Sequence, residues 1–367
     1  GSAAEGIKLF PGVTNANIDI TGNITTTGVS SDGLFLLESD SNTTNLTGNI
    51  TTTGIGSVGL VLSFSDSNTT NITGNITSSS DGVWLFTSDS NTTNITGNIS
   101  TTGENNDGLR LQDSDSNITT LTGNITTAGG GAAGLFLFGD SNTTSLTGNI
   151  TTTGDSARGL DFNNGDSNIT TLTGNITTAG ASAVGLYLFA SDSNTTTING
   201  NIITSGTDGD SEPISLNDSD SNTFILSGAV HSLGGDQAIS INSTSQNNTF
   251  TFKRGASFIG GLENNGGTTN KLIFDMGKAA SYNIDTDGTT WTLEDPYKPI
   301  VSGSAKSMGV ADIDNQAHIL YRRMDPVNDV LSERQRLYTE GQRPTGYYMD
   351  SYYGHDKRDE DYSEISG

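Results

Sequence analysis

A glycine recurs through most of this chain at a nearly constant step. It stands at Gly22, Gly48, Gly74, Gly97, Gly123, Gly148, Gly174, Gly200 and Gly228, with steps of 26, 26, 23, 26, 25, 26, 26 and 28 residues. The unit is clearest at Ser41–Gly54, S-N-T-T-N-L-T-G-N-I-T-T-T-G. A period in this range marks an array whose units cannot each bury an apolar face and must stack on their neighbours. The composition agrees. Only 31% of the 367 residues are hydrophobic, too few for one central core but enough for a thin apolar column.

Period-2 alternation phases two short strands per repeat. In the first, Leu46, Gly48 and Ile50 fall on one face and Thr47, Asn49 and Thr51 on the other. The second is Gly-Leu-x-Leu, with inward pairs such as Leu34/Leu36, Leu60/Leu62 and Leu135/Leu137. Helical periodicity is absent here, and a repeat of this size cannot hold a four-stranded propeller blade. The expectation is an all-β fold, a right-handed parallel β-helix of about ten rungs, with rungs about 4.8 Å apart. Regular rungs are expected over 1–228. Degenerate rungs and a cap richer in Phe, with Phe250, Phe252, Phe258 and Phe274, follow over 229–305. A helical and strand tail occupies 306–367.

That tail differs from the rest. Asp325-Pro326 opens a helix, with Asp as N-cap and Pro at the first helical position. Val327, Val330, Leu331 and Leu337 keep helical spacing, and Gly341 can end it. Gly346–Gly354 then reads G-Y-Y-M-D-S-Y-Y-G and runs into Lys357-Arg358-Asp359. A β-helix, a cap, a helix and then an aromatic strand entering K-R-D-x-D resembles the passenger and translocator junction of bacterial autotransporters, the type V secretion class. Architecture carries the resemblance over most of the chain, and residue patterns carry it over Ala311–Gly367. It implies display outside, or on the surface of, a Gram-negative cell. One strand cannot close a barrel, so outer-membrane contact would run only through a translocator missing here.

Charge narrows the partners. There are 16 Lys and Arg against 41 Asp and Glu, a net charge of −25. Between Lys8 and Lys253 only Arg110 and Arg158 are basic. Nucleic acid is excluded, because phosphate neutralisation needs a basic surface. With no cysteine, disulfides, zinc–thiolate sites and Cys nucleophiles are excluded too.

Three outward ladders remain. Thr47, Asn49, Thr51, Thr73, Asn75 and Thr77 form a polar ladder, read first as a solvated β-face; the alternative is ice binding. Asp40, Asp66, Asp89 and Asp140 belong to an Asp-Ser-Asn ladder. Stacked carboxylates repel by about 1 kcal/mol even in water, so each needs a compensating partner. Turn N–H groups are the first candidate; Ca2+ held between rungs is the alternative. No other cofactor is expected.

The third ladder points outward from the Gly-Leu-x-Leu strand: Phe35 and Leu37, Val61, Trp84 and Phe86, Phe136 and Phe138, Tyr187 and Phe189. Large apolar side chains on alternate rungs mark an interaction surface, unless they round a corner into the core or lie under a loop. The partner is a second copy of the chain or a host or surface glycan. Within the regular rungs only Arg110, Arg158 and Asp161 break the repeat with chemistry, and none of the three His is phased beside a Ser or Asp. A carbohydrate-active tailspike-like enzyme is therefore the least favoured alternative. The expected function is non-enzymatic, adhesion or self-association through exposed ladder faces; an ice-binding or Ca2+-dependent matrix protein is the runner-up.

Overall fold

The computed structural model describes residues 4–297 except 208, 236 and 278–283. Beyond them it describes two short antiparallel pairs, Val301–Ser302 with Met308–Gly309 and His355–Asp356 with Ile365–Ser366. The expected helix after Asp325 and the aromatic strand from Tyr347 lie outside the described residues.

The chain forms a β-solenoid of about ten turns, with no helix among the described residues. Each turn contributes one strand to each of three parallel sheets of 11, 12 and 10 strands. In the second turn these are Leu34–Leu37 in sheet A, Thr43–Thr47 in sheet B and Ile50–Thr52 in sheet C. Pairing is in register, residue over equivalent residue, as in Leu46 with Ile72 and Ile50 with Ile76.

A rung thus carries three strands, where the alternation predicts two. Leu46 and Ile50 belong to different sheets, separated by a corner at Gly48. The corner is invisible to alternation because it keeps the inward parity of Leu46, Gly48 and Ile50. Its geometry explains the glycine. Gly48 has φ +149°, and a Cβ there would fall well inside contact distance of the Gly22 carbonyl one rung away. The same conformation and the same close approach recur at the equivalent glycines from Gly74 to Gly200, where only glycine fits.

The core is one continuous column. Leu34, Leu36, Leu46 and Ile50 are buried, and their equivalents stack along the rod. Full burial contributes about 1.5–3 kcal/mol per side chain, against roughly 1–2 kcal/mol per residue for fixing the backbone. Four such residues cannot hold one isolated turn, so each rung depends on its neighbours. Near residue 250 the column turns aromatic. Phe224 stacks on Phe250 at 4.5 Å, Phe250 meets Trp291 edge-on, and Trp291 Nε1 donates to the Leu262 carbonyl at 2.8 Å.

The corner between sheets A and B is held by buried asparagines. Asn117 N donates to Asn142 Oδ1 at 2.9 Å, Asn142 N donates to Asn168 Oδ1 at 2.8 Å, and Asn142 Nδ2 donates to the Ser114 carbonyl. One side chain therefore satisfies two backbone groups of the preceding rung, the Asn117 N–H and the Ser114 carbonyl. Leucine at 142 is expected to cost about 2–4 kcal/mol, because it leaves buried amide and carbonyl groups unpaired. Hydrogen exchange should accelerate at the Asn117 amide in the preceding rung, whose acceptor is lost; unchanged protection there would refute this role.

Candidate interaction face

Sheet A carries the chemistry that breaks the repeat. Its first outward column runs Lys8, Phe35, Val61, Trp84, Arg110, Phe136, Asp161, Tyr187, Ser215. The second holds Leu37, Ser63, Phe86, Gln112 and Phe138, then Asn163, Phe189 and Asn217. Rungs with large apolar side chains therefore alternate with rungs that are small or polar.

The rings stand out from the sheet but are not freely exposed. Phe35, Leu37, Trp84, Phe86, Phe136, Phe138, Tyr187 and Phe189 are each half-buried, and Val61 is buried at 4% exposure. Val61 is too short to clear the flanking Phe35 and Trp84, so it is no contact residue. Phe64, by contrast, is 50% exposed and meets Phe86 edge-on at 5.4 Å. It sits in the turn at φ +49°, a conformation that disfavours a bulky side chain. Sequence reasoning missed it because it lies one residue past the strand.

Every basic residue of the chain before Lys253 lies on this face against an aromatic ring. Lys8 Nζ is 4.6 Å from the Phe35 ring centroid. The Arg110 guanidinium is 5.0 Å from Phe136 and 5.8 Å from Trp84, and that of Arg158 is 3.9 Å from Tyr187. Arg158 also donates to Asp161 Oδ2 at 2.7 Å, and Arg110 pairs with Asp107 Oδ2 at 3.5 Å.

Beneath the face lie two buried carboxylates, Asp81 and Asp107. Asp107 N donates to Asp81 Oδ1 at 2.5 Å, and Ala133 N donates to Asp107 Oδ1 at 2.6 Å. Burial, reinforced by the neighbouring Asp81, pushes the Asp107 carboxyl up to about 8. Burial alone raises Asp81 to about 6, against the pull of the Asp107 N–H and Arg110. Burial also raises Asp161, opposed by Arg158. Two polar atoms of the face are buried without a hydrogen-bond partner, Trp84 Nε1 and Asp161 Oδ1.

The other ladders are placed as follows. Thr47 and Thr73 end strands of sheet B, Asn49 and Asn75 sit at the corner, and Thr51 and Thr77 lie in sheet C. The expected single Thr–Asn–Thr face is bent, for the same reason that the rung has three strands. Asn75 N donates to Asn49 Oδ1 at 2.8 Å, so this asparagine links rungs. In the Asp ladder, Asp66 N donates to Asp40 Oδ1 and Asp89 N to Asp66 Oδ1, both at 2.8 Å. Asp166 N likewise donates to Asp140 Oδ1. A charge-assisted bond from the next backbone amide offsets the repulsion between neighbours. Among the described residues, no group of three or more His, Cys, Asp or Glu is placed to hold a metal ion. One expectation is corrected: His231 Nε2 lies 3.0 Å from Ser257 Oγ. Three-strand coiling brings Ser257 beside it on the next rung of sheet C, in register with Ala229.

No family model matches the chain, and no curated protein or solved structure matches it either.

Proposed function

We propose that the rod is the displayed passenger of an autotransporter-type surface protein and that it adheres through the outward face of sheet A. The observation that carries this reading is the alternation of ring rungs and polar rungs on the one face that gathers Lys8, Arg110 and Arg158. A chain of net charge −25 repels most acidic surfaces. Here the positive groups offset the local carboxylates, so close approach costs least. The protein acts by contact, without catalysis, and repetition along the rod and across many copies supplies avidity.

Replacing Trp84, Phe136 and Tyr187 together by Ser should abolish adhesion of particles coated with the protein, while circular dichroism keeps its β-signature. Undiminished adhesion by that folded variant would remove sheet A from the account. Raising salt from about 10 mM to about 150 mM should strengthen adhesion to an acidic surface, because screening over about 8 Å weakens the repulsion of the Asp ladders. Weakening with salt would instead show that ion pairs dominate.

A second reading rests on sheet B. Its outward positions Thr43, Asn45 and Thr47 pair in register with Thr69, Asn71 and Thr73, an uncharged array in which threonine hydroxyls and methyls flank a column of asparagine amides, which ice could match. Thermal hysteresis lost on Thr120→Tyr plus Thr171→Tyr, yet kept in the sheet A variant, would favour it. No hysteresis in the unaltered protein rejects it.

A further inference from the structure

Building on adhesion through sheet A, we infer that the partner is a second copy of the chain, docked antiparallel and face to face, with the ring rungs of each copy seated over the polar rungs of the other. The period is the first reason. Trp84, Phe136 and Tyr187 follow one another at intervals of two rungs, about 10 Å. A partner that fills the gaps must repeat at the same interval, and a second copy does so by construction. Rings entering the gaps would stand about 5 Å from their neighbours, within the range in which aromatic pairs attract.

The unpartnered atoms select the register. Consider a two-fold axis along the strand direction, midway between the Arg110 and Phe136 rungs. It reverses the rods and leaves each outward column facing itself. Arg110 then faces Phe136 of the second copy, and Gln112 faces Phe138. Trp84 faces Asp161, Phe86 faces Asn163, and Phe35 faces Ser215. The indole N–H of Trp84, a donor without an acceptor, meets the Asp161 carboxyl, whose Oδ1 has no donor. Symmetry makes this bond twice. Each atom is covered by its own neighbours in the single chain, so both side chains turn outward as the copies meet. Shifting the register by one rung puts Trp84 over Phe136 or Tyr187, ring against ring, and leaves both atoms unpaired.

Charge agrees with this arrangement. Each Arg110 comes to lie between rings of both copies, and the Arg158–Asp161 pair is neutral. The face from Phe35 to Ser215 measures about 35 Å by about 13 Å, or about 450 Å² per copy. That is below the ~800 Å² per partner of a stable complex, so a single pair is weak and reversible and adhesion depends on many copies.

The chain has no cysteine, so single Cys substitutions allow unambiguous spin labelling. The exposed turn residues Ser67, Ser90, Ser116, Ser141, Ser167 and Ser193 sit one per rung beside sheet A. Label-to-label distances in the associated protein, read by pulsed dipolar spectroscopy, should be shortest and equal at Ser116 and Ser141. They should lengthen by about 10 Å along the rod at Ser90 and Ser167, and again at Ser67 and Ser193. Trp84→Phe, which removes only the N–H and its ring carbons, should weaken association about tenfold. A flat distance profile, or a minimum elsewhere, overturns the register. Protein that stays monomeric at every concentration while the triple Ser variant still abolishes adhesion overturns the second copy as partner and leaves sheet A adhesion standing. Adhesion retained by the triple variant overturns both.

Discussion

Alanine in place of Gly148 should cost about 3–5 kcal/mol and break the rod's cooperativity at that turn. Gly148 has φ +142°, and a Cβ there would fall well inside contact distance of the Gly123 carbonyl. Strain from the backbone conformation contributes about 1–2 kcal/mol, and relief of a contact with rigid backbone costs at least as much again. The neighbouring rung cannot yield without losing its own register, because Gly123 makes the same contact with Gly97. Thermal unfolding followed by limited proteolysis would show cleavage opening near residue 148 before the rest of the rod. Gly12, which has open space around its α-carbon, is the control. Equal tolerance at both sites would mean that the corner relaxes more freely than the stacking implies.

Asn in place of Asp107 should stabilise the protein at alkaline pH. The folded carboxyl ionises only at about 8 because it is buried beside Asp81, whereas an unfolded one ionises at about 3.9. Between those values the unfolded chain has released a proton that the folded chain retains. Unfolding therefore becomes easier as pH rises from about 4 to about 8, and the penalty is complete above that. Asparagine keeps an acceptor for the Ala133 N–H and carries no charge. The expected gain is about 2–4 kcal/mol at pH 8 and close to nothing at pH 4. Unfolding midpoints of both proteins measured across this range should converge on the acid side. A constant difference at every pH would mean that packing, and not ionisation, separates them. Asp81, raised to about 6 by burial, should show a smaller gain that develops between about pH 4 and about pH 6 and stays constant above it.

The rungs were legible because inward residues repeat by type. Leu34, Leu36, Leu46 and Ile50 are all expected inside and all are. The third sheet was not legible, since a corner at Gly48 that preserves inward parity leaves no mark on an alternating pattern. The outward face was legible as a list of residues but not as a surface. Nothing in Phe35-x-Leu37 or Trp84-x-Phe86 tells that their neighbours half-cover them, or that Val61 between them is buried. Asp81 and Asp107 look like turn residues because Asp-Gly is common in turns. Their burial follows from how the coil stacks one such turn on another. Arg110 and Arg158 stood out as rare cations, but their seats against Phe136 and Tyr187 needed the rung-to-rung register.

The alternation on sheet A also restricts how such a chain can change length. Every rung makes the same ladder contacts with the next, so duplicating or deleting one repeat leaves the core, the corners and the backbone pairing intact. The outward face does not share that indifference. Removing the Arg110 rung alone would set Trp84 and Phe86 directly against Phe136 and Phe138, closing a gap and putting the rest of the face out of step. Removing two rungs restores the order. The scaffold can grow or shrink by one turn, but a chain that uses this face should inherit its turns in pairs.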